Sequence, residues 1–203
     1  IPLGTVRLFH DAVYHSIETS RALLLAKFLV TGNLGKLRQI VKARITPSSL
    51  LVIPFHSTTP YALGPERAVK YGLFPTAAGL TNDPTAKNRS ATYLTDDLEQ
   101  RLADGKDATF HFCIQPRAKG MPIDDAAVLW DERVSPFVRV ATLHIPSQTF
   151  RAKERDELGE SLAFSPGNTL AEHAPLGGLN RARTIIYKAL SDFRHDRDNR
   201  PAL

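Results

Sequence analysis

Asn180-Arg181-Ala182-Arg183-Thr184-Ile185-Ile186-Tyr187, running on to Arg194-His195, is the stretch from which the rest of the sequence is best read. It is entered from Pro175 and the Gly177-Gly178 pair, and its pattern predicts a final helix from Leu179 to about Phe193. At about 3.6 residues per turn, Arg183, Tyr187 and Arg194 are spaced four and seven residues apart and share one helix face. That spacing sets a phenol beside a guanidinium. A protonated phenol coordinates metal poorly, and a neighbouring positive charge favours the phenolate. The phenolate is an anionic oxygen ligand that stabilises ferric iron. Taken by itself, a tyrosine on a helix is more often a packed amphipathic aromatic than a ligand, so the flanking sequence has to decide.

Outward from this helix, the chain reads as helices outside and strands between, an α+β arrangement without strand-helix alternation. Val6, Phe9, Val13, Ile17, Leu24 and Phe28 fall at helical spacing and predict one long amphipathic helix over residues 6 to 30. Gly32 closes it, and Asn33 can cap a second helix that ends before Pro47. Prolines and glycines punctuate residues 47 to 84, giving loop with a strand or two. Residues 95 to 104 read as a short helix capped by Thr95. Ala108–Ile114 alternates Phe110, Phe112 and Ile114 against Thr109, His111 and Cys113, a strand pattern. Phe137–Ile145 is rich in β-branched residues, lies between Pro136 and Pro146, and reads as another strand.

Composition sets bounds on function. A chain of 203 residues suits one well-buried domain, here divided into an N-terminal helical segment, 1–46, and a main region, 47–203. The net charge of +5 suits an anionic ligand, but Lys and Arg are scattered, and no motif supports nucleic-acid binding. No stretch approaches the roughly 20 apolar residues of a membrane span. The single cysteine, Cys113, has no internal disulfide partner and reads as a small buried hydrophobe. A cytoplasmic location is expected, with the periplasm as the alternative. The opening Ile1-Pro2-Leu3-Gly4 suggests a processed or trimmed piece.

Arg-x-x-x-Tyr followed seven residues later by Arg resembles the proximal helix of haem catalases. Ala163-Phe164-Ser165-Pro166-Gly167-Asn168 looks like the element that precedes that helix. The fuller resemblance is to small bacterial catalase-related proteins, and it includes Thr59-Pro60-Tyr61-Ala62-Leu63-Gly64, Ala68-Val69-Lys70-Tyr71, Pro122-Ile123-Asp124-Asp125 and Trp130-Asp131-Glu132. It continues through Ser135-Pro136-Phe137, Ile145-Pro146-Ser147-Gln148 and Glu172 to Arg181, and so spans about three quarters of the chain. The Arg-x-x-x-Tyr pattern alone is weak; the ordered series is strong.

The resemblance implies an antiparallel β-barrel wrapped by helices, of which this chain holds the later strands and the proximal helix. It implies haem b as cofactor, Tyr187 as the iron ligand, and Arg183 as the arginine that hydrogen-bonds the ligand oxygen and serves catalysis. Arg194 would pair with a haem propionate and Phe164 would lie near the macrocycle. The implied reaction is breakdown of hydrogen peroxide or an organic hydroperoxide. The alternative is a haem-binding protein that has lost catalysis, because the distal histidine and asparagine of the family are not found: Arg117-Ala118-Lys119-Gly120 echoes the tail of the distal element without its histidine. The partners expected are a peroxide substrate and either a second copy of the chain or the missing N-terminal half of the family's barrel.

Other candidates have plainer explanations. His56, a tempting proton shuttle, sits in a proline-punctuated loop outside the matched motifs. Asp124, Asp125, Asp131 and Glu132 read as turn and cap residues rather than a metal cluster. His10 and His15 are about 140° apart around a helix and cannot share a metal on it. Ser57 and Ser161 lack the strand-turn-helix elbow of a serine hydrolase.

Overall fold

The computed structural model describes residues 6, 7, 10, 11, 14, 20–32, 35, 45–77, 79, 83, 89–103 and 105–197. Its elements in chain order are helix α1 (Arg21–Val30), strands β1 (Phe55–His56), β2 (Tyr61–Leu63) and β3 (Arg67–Pro75), helix α2 (Tyr93–Ala103), strands β4 (Ala108–Pro116) and β5 (Val138–Ile145), and helices α3 (Lys153–Ser161) and α4 (Gly177–Arg197). Short 3-10 turns cover Leu50–Val52 and Ala171–His173. The α+β class is therefore as expected, with every strand pairing antiparallel.

Strands β3 and β4 are the spine. They pair over seven residues, from Val69 opposite Pro116 to Pro75 opposite Phe110, and β1 and β2 both add to the free edge of β3. Because side chains alternate across a strand, Val69, Tyr71 and Leu73 share a face with Ile114, Phe112 and Phe110. On that face Phe110, Leu51 and Leu102 form a buried cluster with Leu73, Leu98, Ile145 and Phe150 around it. The other face carries Ala68, Lys70 and Gly72 opposite Gln115 and Cys113, and a second cluster of Ala68, Met121 and Trp130 covers it. The Phe137 ring lies so close over Gly72 that a Cβ there would sit 2.9 Å from it. Cys113 is buried, as its apolar context predicts.

The sheet is open. Among the described residues β5 pairs only with β4, and its burial pattern is exposed from Val138 to His144. The expected barrel is therefore not closed among the described residues, where the sheet ends at β5 on one side and at β1 and β2 on the other.

Several expectations are revised. The single helix over 6 to 30 is interrupted at Ser20, whose extended backbone and side chain cap Leu23 and start α1 afresh; Val6, Arg7, His10, Asp11 and Tyr14 are helical before the break. Of the second helix only Gly35 is described, and it is helical. The proline-rich stretch holds three strands, because Pro60 and Pro65 fall between strands and Pro75 ends one. Helix α2 starts at Tyr93 rather than after Thr95, with the Thr92 hydroxyl bonded to Asp96 at its first turn. Helix α3 has no apolar stripe and escaped detection; its sequence Lys153-Glu154-Arg155-Asp156-Glu157-Leu158 offers only local helix propensity and a Lys153–Glu157 pair.

Helix α4 starts at Gly177, whose φ of +84 and proximity to Ile123 O, 2.7 Å from a would-be Cβ, leave room for glycine alone. Asp124 accepts a hydrogen bond from Gly178 N at 2.8 Å, capping the helix. Asn180, fully buried, then fastens it: its Nδ2 donates to Pro60 O and to Leu176 O, both at 2.9 Å, while its Oδ1 accepts from Thr59 Oγ1 at 2.9 Å. Replacing Asn180 with Ala leaves these partners unsatisfied inside the protein and should cost about 2–4 kcal/mol of stability in urea unfolding. A loss below ~0.5 kcal/mol would show that the amide does not hold the helix.

Candidate functional site

The face of α4 that is buried at Asn180 emerges from the protein further along. Arg183, Tyr187 and Arg194 lie on it, as their spacing requires. Tyr187 is 42% exposed, so its ring is not packed away in the core. Ile186, Leu190 and Phe193 are exposed on one flank of it, Ile185 is exposed on the opposite side of the helix, and Phe164 and Leu170 are exposed in the preceding segment. So many large apolar side chains on one element exceed the scattered hydrophobes of an ordinary surface.

Arg183 places its guanidinium over the Tyr187 ring, 5.6 Å from the centroid. Its Nη1 donates to Thr59 Oγ1 at 3.2 Å and to Asn180 Oδ1 at 3.1 Å. The charge beside the phenol is thus held from behind by the same buried hub that fixes the helix, and it meets the tyrosine through the ring face. Thr59 and Asn180 are the site residues that spacing arguments missed. Both belong to motifs quoted above, but a polar pair buried across 121 positions leaves no periodic trace.

Arg194 Nη2 donates to Leu162 O, and its Nε lies 3.9 Å from Glu160 Oε2. That Nε is buried without a hydrogen bond, leaving one donor uncommitted. Leu162 stands two residues before Phe164. The loop that follows is stiffened by Ser165 Oγ accepting from Gly167 N and by Asn168 Nδ2 donating to Ala163 O. Gly167 presses on Thr184, where a Cβ would come within 2.7 Å of Cγ2, so the loop lies against α4 one turn before Tyr187. Arg183 and Tyr187 are therefore in contact, and Arg194 is joined to the segment bearing Phe164 through Leu162.

The four residues line neither of two surface cavities, one of about 580 Å³ between β2, β3 and residues 116–123 and one of about 250 Å³ under Trp130. Their setting is an open apolar helix face with two guanidinium groups. It suits a flat, apolar, anionic group whose metal meets an oxygen donor. Three of the acidic residues take the turn and cap roles expected of them: Asp124 caps α4, Asp125 Oδ1 accepts from Ala127 N, and Asp131 Oδ1 from Arg133 N, whereas Glu132 lines the smaller cavity. Among the described residues no group of three His, Cys, Asp or Glu side chains is placed to hold a metal ion. No described helix is long and apolar enough to cross a membrane.

An open antiparallel sheet with outer helices and a terminal helix docked on its β2 edge is a catalase-like fold. No protein-family model and no curated protein sequence matches the chain. Among solved structures, it is similar to a fungal catalase at a TM-score of 0.75 and 16% identity, covering 96% of this chain and 44% of that one. It is similar to catalase A of Saccharomyces cerevisiae at 0.74 and 14%, covering 96% and 45%, and to a bacterial catalase at 0.70 and 15%, covering 96% and 42%. The chain spans less than half the length of each of these proteins.

His56 stands apart from the four residues. It sits in β1, edge-on to Phe74 at 5.5 Å and beside Phe137 at 5.6 Å. Burial lowers its pKa below the usual value, with Glu132 acting weakly against the shift. The folded state therefore binds a proton at His56 less readily than the unfolded chain does. Stability from this residue is present above the unfolded value of about 6.5 and is lost as pH falls toward the folded one. The effect is modest because the ring is partly exposed. Urea midpoints should fall between pH 7.5 and 5.5, and His56→Phe should flatten that slope; an unchanged slope in the variant would remove His56 as the cause.

Proposed function

We propose that this chain is the proximal part of a haem-dependent hydroperoxidase, with the Tyr187 oxygen as the ligand to ferric iron. The observation that carries the reading is a half-exposed phenol on an apolar helix face, with an anchored guanidinium against its ring. Haem b, when bound, would supply the redox chemistry that splits the O–O bond of hydrogen peroxide or an organic hydroperoxide.

The chain's own residues have distinct tasks. Tyr187 offers an oxygen that coordinates best as phenolate. Arg183 stabilises negative charge there, and its bonds to Thr59 and Asn180 keep it from swinging out to water. Arg194, whose Nε is buried 3.9 Å from the Glu160 carboxylate, brings a guanidinium to the same face, and a carboxylate-bearing edge of the cofactor would compete with Glu160 for it. Phe164, Ile186 and Leu190 present apolar surface and exclude water from the ligand side.

The chain spans less than half of the catalases it is similar to, and its outer strand β5 offers a free backbone edge with Val138, Val140 and Leu143 exposed. Further strands, from the same protein or from a partner, would pair along that edge and bring the distal groups. The chain alone is then a haem-binding half, and turnover belongs to the assembled protein.

Haemin added to the folded chain should give a high-spin ferric spectrum with tyrosinate charge-transfer absorption. Tyr187→Phe should abolish that absorption, and an unchanged spectrum in the variant would defeat the ligand assignment. Arg183→Leu should bind haemin several-fold more weakly, the deficit growing as pH falls, with Arg183→Lys recovering part of it. Identical binding across pH in all three proteins would separate the arginine from the ligand.

A further inference from the structure

The smaller cavity shares no residue with the α4 surface. It holds about 250 Å³, and its lining includes His56, Lys70, Leu129, Trp130, Glu132 and Phe137. Lys70 is the unusual member. It projects from the face of β3 that packs against Trp130, is only 8% exposed, and has its Nζ 4.7 Å from the Trp130 ring centroid. No described carboxylate lies within ion-pair distance of it. Burial is the whole cause of its lowered pKa.

An ammonium carries three donors and no acceptor, and a ring face replaces only part of its lost hydration. A buried lysine without a counter-charge is destabilised unless something else completes it. The walls around it are fixed rather than collapsible. Gln115 Nε2 donates to Trp130 O at 3.1 Å and to Ser135 O at 2.9 Å, and Trp130 Nε1 donates to Pro122 O at 3.1 Å. Thr58, also in the lining, holds a φ of +59, an uncommon backbone state for a β-branched residue. The space is thus kept open by protein bonds, with a cation in its wall whose tip faces the cavity and which no described carboxylate pairs.

We infer that this cavity is a binding site for a small monocarboxylate with an apolar body, its carboxylate on Lys70 Nζ and its body against Trp130, Leu129 and Phe137. Charge sets the selectivity. One ammonium matches one carboxylate, whereas Glu132 in the same lining repels a second negative charge and disfavours dianions and polyphosphates. Size sets it too, since the volume lies below the roughly 300–1,000 Å³ of sites for larger ligands. The site does not depend on the haem reading, because none of Phe164, Arg183, Tyr187 and Arg194 lines it.

Trp130 is the only tryptophan of the chain, so its fluorescence reports this cavity alone. Benzoate titrated into the full chain should change that fluorescence saturably. Benzyl alcohol, which has the same body without the charge, and phthalate, which has a second carboxylate, should bind at least roughly tenfold more weakly. Lys70→Met keeps the length of the side chain and should remove benzoate binding while circular dichroism stays unchanged. Should that variant fail to fold, Leu129→Glu carries the test: Leu129 is 88% exposed, so the fold tolerates its replacement, which puts a like charge where the apolar body of the ligand would lie. It should weaken benzoate roughly tenfold. No saturable response to benzoate, an equal response to benzyl alcohol or phthalate, or unaltered affinity in the folded variants would each overturn the assignment.

Discussion

The side-chain amide of Asn180 is the joint on which the rest depends. It is wholly buried, and it reaches back to Pro60 and Thr59, across more than a hundred residues, while also bonding Leu176 in its own segment. Inside a protein such a network is fixed by the cost of leaving any member unpaired. One consequence is mechanical: α4 leaves the sheet at a set angle and rotation, and Tyr187, two turns on, inherits that placement. Another is electrostatic, since the same Oδ1 receives Arg183 and holds its guanidinium against the Tyr187 ring.

The two faces of the β3–β4 spine have different work. One packs Phe110 and Leu73 against Leu51 and Leu102, a core of ordinary hydrophobic burial. The other is roofed by the loop of Trp130 and Phe137 and contains polar groups, Gln115 and Lys70, in fixed settings. Gln115 gives both Nε2 hydrogens to the roof. Lys70 instead meets it through the Trp130 ring face, and that difference between two neighbours on one face is what marks the cavity. At the far side of the sheet, β5 ends the ladder among the described residues, with Val138, Val140 and Leu143 exposed. Exposed edges of this kind are normally blunted or covered.

Much of this was legible before any coordinates. Alternation gave β4 and β5 within two residues at either end, because β-branched and aromatic residues between prolines leave few other options. The helix carrying Tyr187 and its shared face with Arg183 and Arg194 followed from spacing alone. Two short strands and the nine-residue β3 lie where prolines suggest loop, since Pro60, Pro65 and Pro75 mark strand ends rather than their absence. Helix α3 has no apolar stripe to reveal it, and Ser20 looked like one more polar position until its extended backbone broke the first helix. Thr59 and Asn180 carried the site's rigidity but not its periodicity. Partnership between buried polar groups far apart in sequence is not written in any local pattern.

The central claim is that the Tyr187 oxygen meets iron. An anomalous difference map at the iron edge, from crystals of the chain grown with haemin, tests it without reference to activity. The account predicts a peak within bonding distance of Tyr187 Oη, with Arg183 still bonded to Thr59. A peak coordinated by another side chain, or a flat macrocycle bound away from α4, would contradict it.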